Sequence, residues 1–395
     1  MFEIEPNYTR VKRNVKQKNN LNNLLINYIR VAQIFGTLPL RLHRDVNEVK
    51  FDWWYYKTIY TLILIGLFII YTIFQFYEAI YSAKNFFACV VLTWNLRTTL
   101  SLVTCLYTAY KWPCFIKKWT SLEAKLDDIF YDENIKYNPK PALNYLTIGF
   151  IIAGLLEHFI YIALMVEATI NSNQTTITNN TIEFFRFFFP DVFSMIDFSI
   201  PVALILIHLN YVSTFQWQFM NVFLILLCVV LAQRFQQFNI HIKQLNRQIK
   251  LKHILRAEFL DIFAEIRRIY TILVDLCNLL NHVLQELIFI VIVGGFYFLT
   301  VFIFEGKSDH STFLDTLFYF YKGFLICIHL VAVFLYASWI NEESLKILQF
   351  VFELPTNYYH NEVEYFLNCL ESQVVAIKFV GTFAIHRTVL LSVII

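Results

Sequence analysis

The sequence predicts an all-α membrane protein, a seven-transmembrane helical bundle with a cytoplasmic N-terminus and long cytoplasmic helix extensions. Of its 395 residues, 57% are hydrophobic and only 16% are charged. A soluble globular domain has about 25% charged residues and about 45–50% apolar ones. Because the mean hydropathy is +0.52, lipid must solvate most of the chain. The first residues are polar and basic, so we expect no removable signal peptide.

Six apolar stretches approach or exceed the length of about 20 residues that a membrane helix needs. These predicted spans are residues 58–81, 86–110, 146–170, 200–231, 286–304 and 317–340. The fourth is too long for one perpendicular crossing, so it either tilts or continues as a helix into the cytoplasm. Residues 379–395 are predicted to be the incomplete start of a last span. The chain is then either a fragment or a truncated product, and we favour the fragment.

The orientation follows from the Lys and Arg residues of the loops, because cytoplasmic loops carry an excess of positive charge. With the N-terminus inside, the cytoplasmic segments hold 26 of these residues and the outer loops hold 3. The glycosylation sequons at Asn173 and Asn179 lie between spans three and four and therefore outside. A third sequon at Asn7 is then a chance match.

The segments predicted to be cytoplasmic are more than linkers. Residues 1–57 form the N-terminal segment, and residues 232–285 and 341–378 are predicted to form amphipathic anchor helices. Apolar residues recur at the three- and four-residue spacing of one helix face at Phe235, Phe238, Ile242, Leu245 and Ile249. Such a face packs against its own bundle or another subunit, or it lies on solvent or the membrane surface. Asn341 and Ser344 favour helix caps, which argues against an unbroken helix beyond span six.

The sequence carries no signature of an enzyme or of a cofactor-dependent protein. It has no HExxH, GxSxG or phosphate-binding loop, and no Cys or His spacing that suits a metal ion. The seven cysteines form no close pair and are expected to be structural thiols. We therefore predict no catalysis, no metal, no cofactor and no nucleic-acid partner.

Ionisable and aromatic residues inside the predicted spans are the candidate binding residues. Charged groups are costly in lipid, so they tend to face cavities or each other. The candidates are Trp94, Arg97, Glu157, His158, Tyr161, Asp197, Tyr319 and Lys322. One interpretation is a polar, aromatic-walled pocket, open to the outside, for a small hydroxylated or amphipathic ligand. The alternative is that Arg97 pairs with Glu157 and Lys322 extends to the interface.

The C-terminal stretch has the most specific pattern. A Gly-x-Phe, a polar residue followed by Arg, and a Leu-Leu-Ser run occur at Gly381, Phe383, His386, Arg387, Leu390, Leu391 and Ser392. This stretch resembles the start of the last span in insect gustatory receptors. The layout is also similar, with a Leu-Pro-Leu at 38–40 and a Gln-Arg-Phe at 233–235.

The resemblance implies a tastant-gated, non-selective cation channel in the plasma membrane, surrounded by lipid and assembled as a homo- or heterotetramer. It leaves the tastant open among sugars, bitter compounds, carbon dioxide and internal nutrients. The chain ends at Ile395, before the Thr-Tyr and Gln-Phe with which the family's pore helix continues. The alternatives are an insect odorant receptor, which shares the topology, a transporter or a G-protein-coupled receptor. The last is disfavoured, because that fold has its N-terminus outside.

Overall fold

The computed structural model describes residues 21–42, 49–81, 86–127, 140–172, 177–250, 256–305 and 312–388. Within these ranges the chain is almost entirely helical. In chain order the elements are α1 (Leu21–Ile34), β1 (Arg41–Leu42), β2 (Val49–Lys50), α2 (Tyr56–Tyr81), α3 (Phe86–Asp127), α4 (Lys140–Ser172), α5 (Ile177–Phe188), α6 (Pro190–Phe193), α7 (Ile200–Lys250), α8 (Arg256–Glu305), α9 (Phe313–Phe352), a 3-10 turn (Thr356–Tyr358), α10 (Asn361–Ser372), β3 (Lys378–Phe379) and β4 (Phe383–Ala384).

Six of these helices, α2, α3, α4, α7, α8 and α9, are long and apolar enough to cross a membrane. They contain the six predicted spans and confirm a multi-pass, all-helical architecture. Most of them extend well beyond the predicted bounds. The fourth span continues as one helix of 51 residues to Lys250, because no Gly or Pro interrupts it after Pro201. The seventh span and the side of the N-terminus stay predictions.

Helix α7 is the centre of the bundle. Every residue in its most apolar 18-residue stretch is buried by other helices, whereas only 11% of the corresponding stretch of α4 is buried. A helix that is apolar on all sides must be surrounded by protein or lipid. Helix α7 therefore has protein neighbours on all sides, and α4 presents most of its surface outward.

Helix α3 continues through Pro113, although the predicted span ends at residue 110. A proline inside a helix costs about 3 kcal/mol, because it removes a hydrogen bond and crowds the preceding turn. Tertiary packing offsets this cost. Trp112, Phe115 and Trp119 are fully or almost fully buried, and the Trp112 ring lies 5.4 Å from the ring of Phe223 on α7.

The extensions of α3, α7, α8 and α9 pack together as a continuous helical bundle, which is one of the arrangements that their amphipathic pattern allows. Two buried polar contacts fix their register. Arg234 on α7 donates to Glu123 on α3 at 2.6 and 3.1 Å, and both side chains are about 5% exposed. Asn239 on α7 donates to the Glu343 carboxylate of α9 at 2.8 Å.

Helix α1 lies against this bundle and brings the Leu38-Pro39-Leu40 segment with it. The chain turns at Gly36, whose φ of +70° is in the left-handed region that glycine favours. Gln33 then donates to the carbonyls of Leu38 and Leu40 at 3.1 and 2.7 Å. Both leucines are completely buried, and they belong to the same hydrophobic core as Leu24 and Leu25 of α1.

Helix α9 runs unbroken through Asn341 and Ser344 to Phe352, in contrast to the capping expectation. Their side chains do not cap a helix: Asn341 donates to the Val375 carbonyl at 3.0 Å, and Ser344 donates back to the Asn341 carbonyl at 2.8 Å. A buried partner on a distant segment satisfies Asn341, and a bond back to the helix itself satisfies Ser344, so neither residue ends the helix.

The segment predicted as the start of the last span, residues 379–395, begins with a β-hairpin rather than with a helix. Strands β3 and β4 pair as an antiparallel hairpin, with Phe379 opposite Phe383. Its turn places Val380 and Gly381 at positive φ. Helical backbone follows at Arg387 and Thr388. The motif residues Leu390, Leu391 and Ser392 lie outside the described residues.

Candidate ligand-binding site

A cavity of about 310 Å³ lies among the six long helices, near the end of the bundle where α2 meets α3 and α8 meets α9. Each helix contributes the part nearest that end, together with the loop that contains α6. This volume falls within the range of about 300–1,000 Å³ that is typical of small-molecule sites. The helix ends that flank the loops predicted to be extracellular lie at this end, so the predicted orientation would put the cavity in the outer half.

Aromatic rings form much of the cavity wall. The floor is a cluster of Trp94, Trp217 and Phe298, with ring centroids 5.0 to 6.0 Å apart. Tyr161 lies 5.5 Å from both Phe188 and Phe318 on the opposite side. Rings in such clusters offer flat apolar faces against which the C–H face of a ligand can pack.

A buried polar group lies beside these rings. Asn95 donates to the Gln75 side-chain oxygen at 2.6 Å, and Asp191 adjoins them. Asp191 Oδ2 and Gln75 Nε2 have no hydrogen-bond partner among the described residues. Burial raises the pKa of Asp191, and the nearby Gln75 amide and Tyr71 hydroxyl partly oppose the shift. An unpaired donor and an unpaired acceptor at a cavity wall are ready to bind a polar ligand.

Two further polar contacts hold the cavity walls in place. Gln218 donates to Glu157 at 3.1 Å, and Gly154 makes room for this amide, because an added Cβ there would lie 2.8 Å from Gln218 Cγ. Lys322 on α9 pairs with Glu305 on α8 at 3.1 Å. This ion pair joins two helices across one side of the cavity, in place of the predicted extension of Lys322 to the interface.

The structure brings together five of the eight residues that the sequence singles out. Those that line the cavity are Trp94, Glu157, His158, Tyr161 and Lys322. Asp197 is exposed in the loop before α7. Tyr319 donates to the Phe302 carbonyl at 3.2 Å, and its ring stacks on Phe302. Arg97 lies behind the floor, so these three are not cavity-lining residues.

Arg97 packs against the far side of the aromatic floor rather than against Glu157. Its guanidinium carbon is 3.7 Å from the centroid of Trp217 and 5.7 Å from that of Phe298. Gly294 provides the space, since a Cβ there would overlap with Arg97 Nε. Arg97 Nε and Nη2 are buried without a hydrogen-bond partner among the described residues. The interaction with the rings is therefore the main compensation for burying this cation.

We expect the substitution Arg97→Met to be neutral or stabilising. A cation–π contact is worth about 2 kcal/mol when desolvated, whereas an unpaired buried charge costs several kcal/mol, and apolar replacement of buried ions often gains about 1–4 kcal/mol. The midpoint of thermal unfolding of the detergent-purified protein measures this effect.

Lys111→Met on the same helix is the matched control. Lys111 lies 4.0 Å from the Tyr107 ring centroid and also pairs with Glu286 at 3.5 Å, so its loss should lower the midpoint slightly. A clear loss of stability in Arg97→Met, larger than in Lys111→Met, would contradict the assignment of Arg97 as an under-compensated cation.

The cavity also contains residues that sequence reasoning missed. These are chiefly Gln75, Asn95, Asp191, Trp217 and Glu305. Neutral amides in an apolar helix barely change its hydropathy, so Gln75 and Asn95 carry little signal. Asp191 lies in a loop between predicted spans, where a carboxylate is not energetically costly and so did not stand out as a binding residue. The run of aromatic residues that precedes it was the sequence feature that could have indicated a cavity here.

All seven cysteines are free thiols. No cluster of His, Cys, Asp and Glu suited to a metal ion occurs within the described ranges. Asn173 lies outside those ranges, and Asn179 is on α5. Glycosylation at both sites stays a prediction.

Comparison with known proteins places this site in a receptor. The sequence profile of the family described as "Trehalose receptor" matches residues 5–395. The chain belongs to this family of insect gustatory receptors. The resemblance noted at its C-terminal motif is thereby confirmed, and the receptor is a multi-pass membrane protein rather than an enzyme.

The alignments with individual relatives cover most of the receptor. It is 25% identical to "Gustatory receptor for sugar taste 61a" of Drosophila melanogaster, over 91% of this chain and 82% of that protein. It is 24% identical to "Gustatory receptor for sugar taste 64b" of the same species, over 93% and 89%. It is 20% identical to "Gustatory receptor 5a for trehalose", over 72% and 61%.

Proposed function

We propose that this receptor binds a sugar in the cavity and is a subunit of a sugar-gated, non-selective cation channel of the plasma membrane. The single observation that carries the proposal is the pairing of an aromatic floor with buried, partly unpaired polar groups in one cavity. The proposed arrangement has seven spans, a cytoplasmic N-terminus and a tetrameric assembly with like or related subunits.

The wall chemistry suits a neutral, polyhydroxylated ligand. A sugar has C–H faces that pack on rings such as Trp94 and Trp217, and hydroxyl groups that both donate and accept hydrogen bonds. Gln75 and Asp191 supply a free donor and a free acceptor. The names of the relatives, which include sugar and trehalose receptors, support the same ligand class.

The charged residues of the cavity wall also indicate which ligand charge the cavity favours. Among the described residues, Glu78, Glu157, Asp191 and Glu305 line the cavity together with one lysine, Lys322. An excess of carboxylates disfavours an anionic ligand, because it would face like charges in a poorly solvated site. The same wall would tolerate an organic cation, which makes a bitter amine the informative comparison ligand.

Expression of the complete receptor in cells without other taste receptors tests the proposal. We expect trehalose, or another neutral mono- or disaccharide, to evoke a cation current and a calcium signal, and the amine quinine to evoke none. Neighbouring subunits can be required, so co-expression with a related sugar receptor belongs to the same experiment.

The outcomes separate the parts of the proposal. A current evoked by quinine alone would reject a sugar as the ligand. Binding of a sugar to the purified receptor without any current, alone or with a partner subunit, would keep the binding site but reject the channel. Loss of the sugar response in cavity variants with normal surface expression would support the assigned pocket.

A further inference from the structure

The segment between α10 and the last described residues is held by side chains from α8 and α9. Asn281 on α8 donates to the Ala376 carbonyl at 2.9 Å and accepts from the Lys378 backbone N–H at 2.9 Å. The amide of Asn281 thus pairs with main chain as a neighbouring β-strand would. Residues 375–377 are buried, so the exchange of these bonds for water is costly.

Helix α9 holds the same segment from its other side. The amide nitrogen of Asn341 donates to the Val375 carbonyl at 3.0 Å. Its oxygen then accepts from His386 Nδ1, also at 3.0 Å. One asparagine thereby connects a residue shortly before the hairpin with a residue shortly after it.

An ion pair completes the contact at the surface. Arg387 lies 3.0 Å from Glu342 on α9, and the side chains are 63% and 36% exposed. Arg387 is the residue at which helical backbone resumes after the hairpin. The start of the last segment is therefore attached to α9 by two consecutive α9 residues, Asn341 and Glu342.

The helices that hold this segment also carry cavity walls. Helix α8 provides Phe298 and Glu305, and α9 provides Lys322 and Ile326. From Lys322 to Glu342 the continuous helix α9 extends about 30 Å at 1.5 Å per residue. A shift of α9 at the cavity would therefore reach the segment through one rigid element.

We propose that Asn281, Asn341 and Glu342 form a joint that positions the start of the last segment and couples it to the cavity-lining helices. The coupling part of this inference rests on the proposed sugar-gated channel. The positioning part does not, because it concerns contacts within one subunit. The three residues are positioning residues and do not touch the ligand.

Charge exchange at the exposed pair tests the joint without disturbing the core. The variants are Glu342→Arg, Arg387→Glu and the double exchange in the complete receptor. The matched control is Glu353→Arg, because Glu353 on the end of α9 pairs with Lys250 at the same 3.0 Å and a similar exposure of 38%. Lys250 is on α7, so the control leaves the last segment untouched.

Two measurements are made on each variant. Amide hydrogen exchange of residues 375–388 in the purified receptor should rise about two- to fivefold in both single variants, return to the wild-type rate in the double exchange, and stay unchanged in Glu353→Arg. The maximal sugar-evoked current should fall by a similar factor in the single variants and recover in the double exchange, with the half-maximal sugar concentration unchanged.

The two measurements keep the inference separate from the proposed function. Wild-type exchange rates in both single variants, or no recovery in the double exchange, would overturn the joint. Changed exchange with an unchanged maximal current would overturn the coupling. A wild-type receptor without a sugar current would contradict the proposed function, and the exchange rates would still decide the joint.

Discussion

The substitution Glu123→Ala should lower the free energy of unfolding by about 3–5 kcal/mol, because it removes the carboxylate that is paired with a buried cation. Arg234 is 5% exposed, and its Nε and Nη2 atoms both donate hydrogen bonds to Glu123 Oε1. A further contact of the guanidinium, to Gln237 at 3.1 Å, is with a neutral amide and does not compensate the charge. Thermal and denaturant unfolding of the purified receptor measure the loss.

The double substitution Glu123→Met with Arg234→Met distinguishes the net contribution of the ion pair to stability from the cost of removing only one of its partners. Removal of both charges should restore most of the stability, because well-packed apolar residues can replace a buried ion pair at little cost. The matched control is Glu265→Ala, whose partner Arg268 is 3.9 Å away and 60% exposed. This surface pair should contribute less than about 1 kcal/mol. Equal effects of Glu123→Ala and Glu265→Ala would contradict the assigned burial.

The substitution Asp191→Ala should raise the half-maximal sugar concentration about 10- to 100-fold, with normal surface expression. A hydrogen bond to a charged group is worth about 1.5–3 kcal/mol, and each 1.4 kcal/mol is a factor of ten in affinity. Asp191 is 8% exposed, so water cannot readily substitute for the lost carboxylate. Dose–response measurements of sugar-evoked current, together with sugar binding to the purified receptor, test this expectation.

Asp197→Ala provides the matched control for the cavity. This aspartate lies six residues further along the same loop and is exposed outside the cavity. We expect its substitution to leave the sugar response within about twofold of the wild type, because exposed substitutions change free energies by about 0.5 kcal/mol or less. Equal losses in Asp191→Ala and Asp197→Ala would show that the loop, rather than the cavity, determines the response.

The raised pKa of Asp191 adds a pH dependence with a defined sign. Burial favours the protonated acid, and sugar hydroxyls that donate to the carboxylate favour the ionised form. Sugar affinity should therefore fall as the external pH is lowered towards the raised pKa, at a pH where an exposed aspartate is still ionised. In Asp191→Asn this component of the pH profile should disappear, while Asp197→Asn should retain it.

The candidate site shows which residues physical reasoning on a sequence can find. Glu157, His158 and Lys322 stand out because ionisable groups are costly in an apolar helix, and all three line the cavity. The same reasoning selected Arg97 and failed to place it, because a guanidinium can also be compensated by aromatic rings. Which solution applies depends on Trp217 and Gly294, which lie far from Arg97 in the sequence.

The partners of these ionisable residues could not be predicted from the sequence either. Arg97 with Glu157 was a reasonable alternative on charge alone, but Glu157 accepts from Gln218, and Lys322 pairs with Glu305. Neutral amides gave even less indication. Asn281 and Asn341 each make two hydrogen bonds with residues between 375 and 386. These partners lie about a hundred residues from Asn281 and about forty from Asn341, so no local sequence pattern predicts them.

Composition and the periodicity along single helices were enough to predict a membrane environment, six long apolar helices and amphipathic extensions. The packing of the helices establishes that α7 is the buried centre, that α9 runs on through Asn341, and that residues from six helices and a loop meet in one cavity. These features depend on contacts between distant segments, and such contacts leave no trace in local hydropathy.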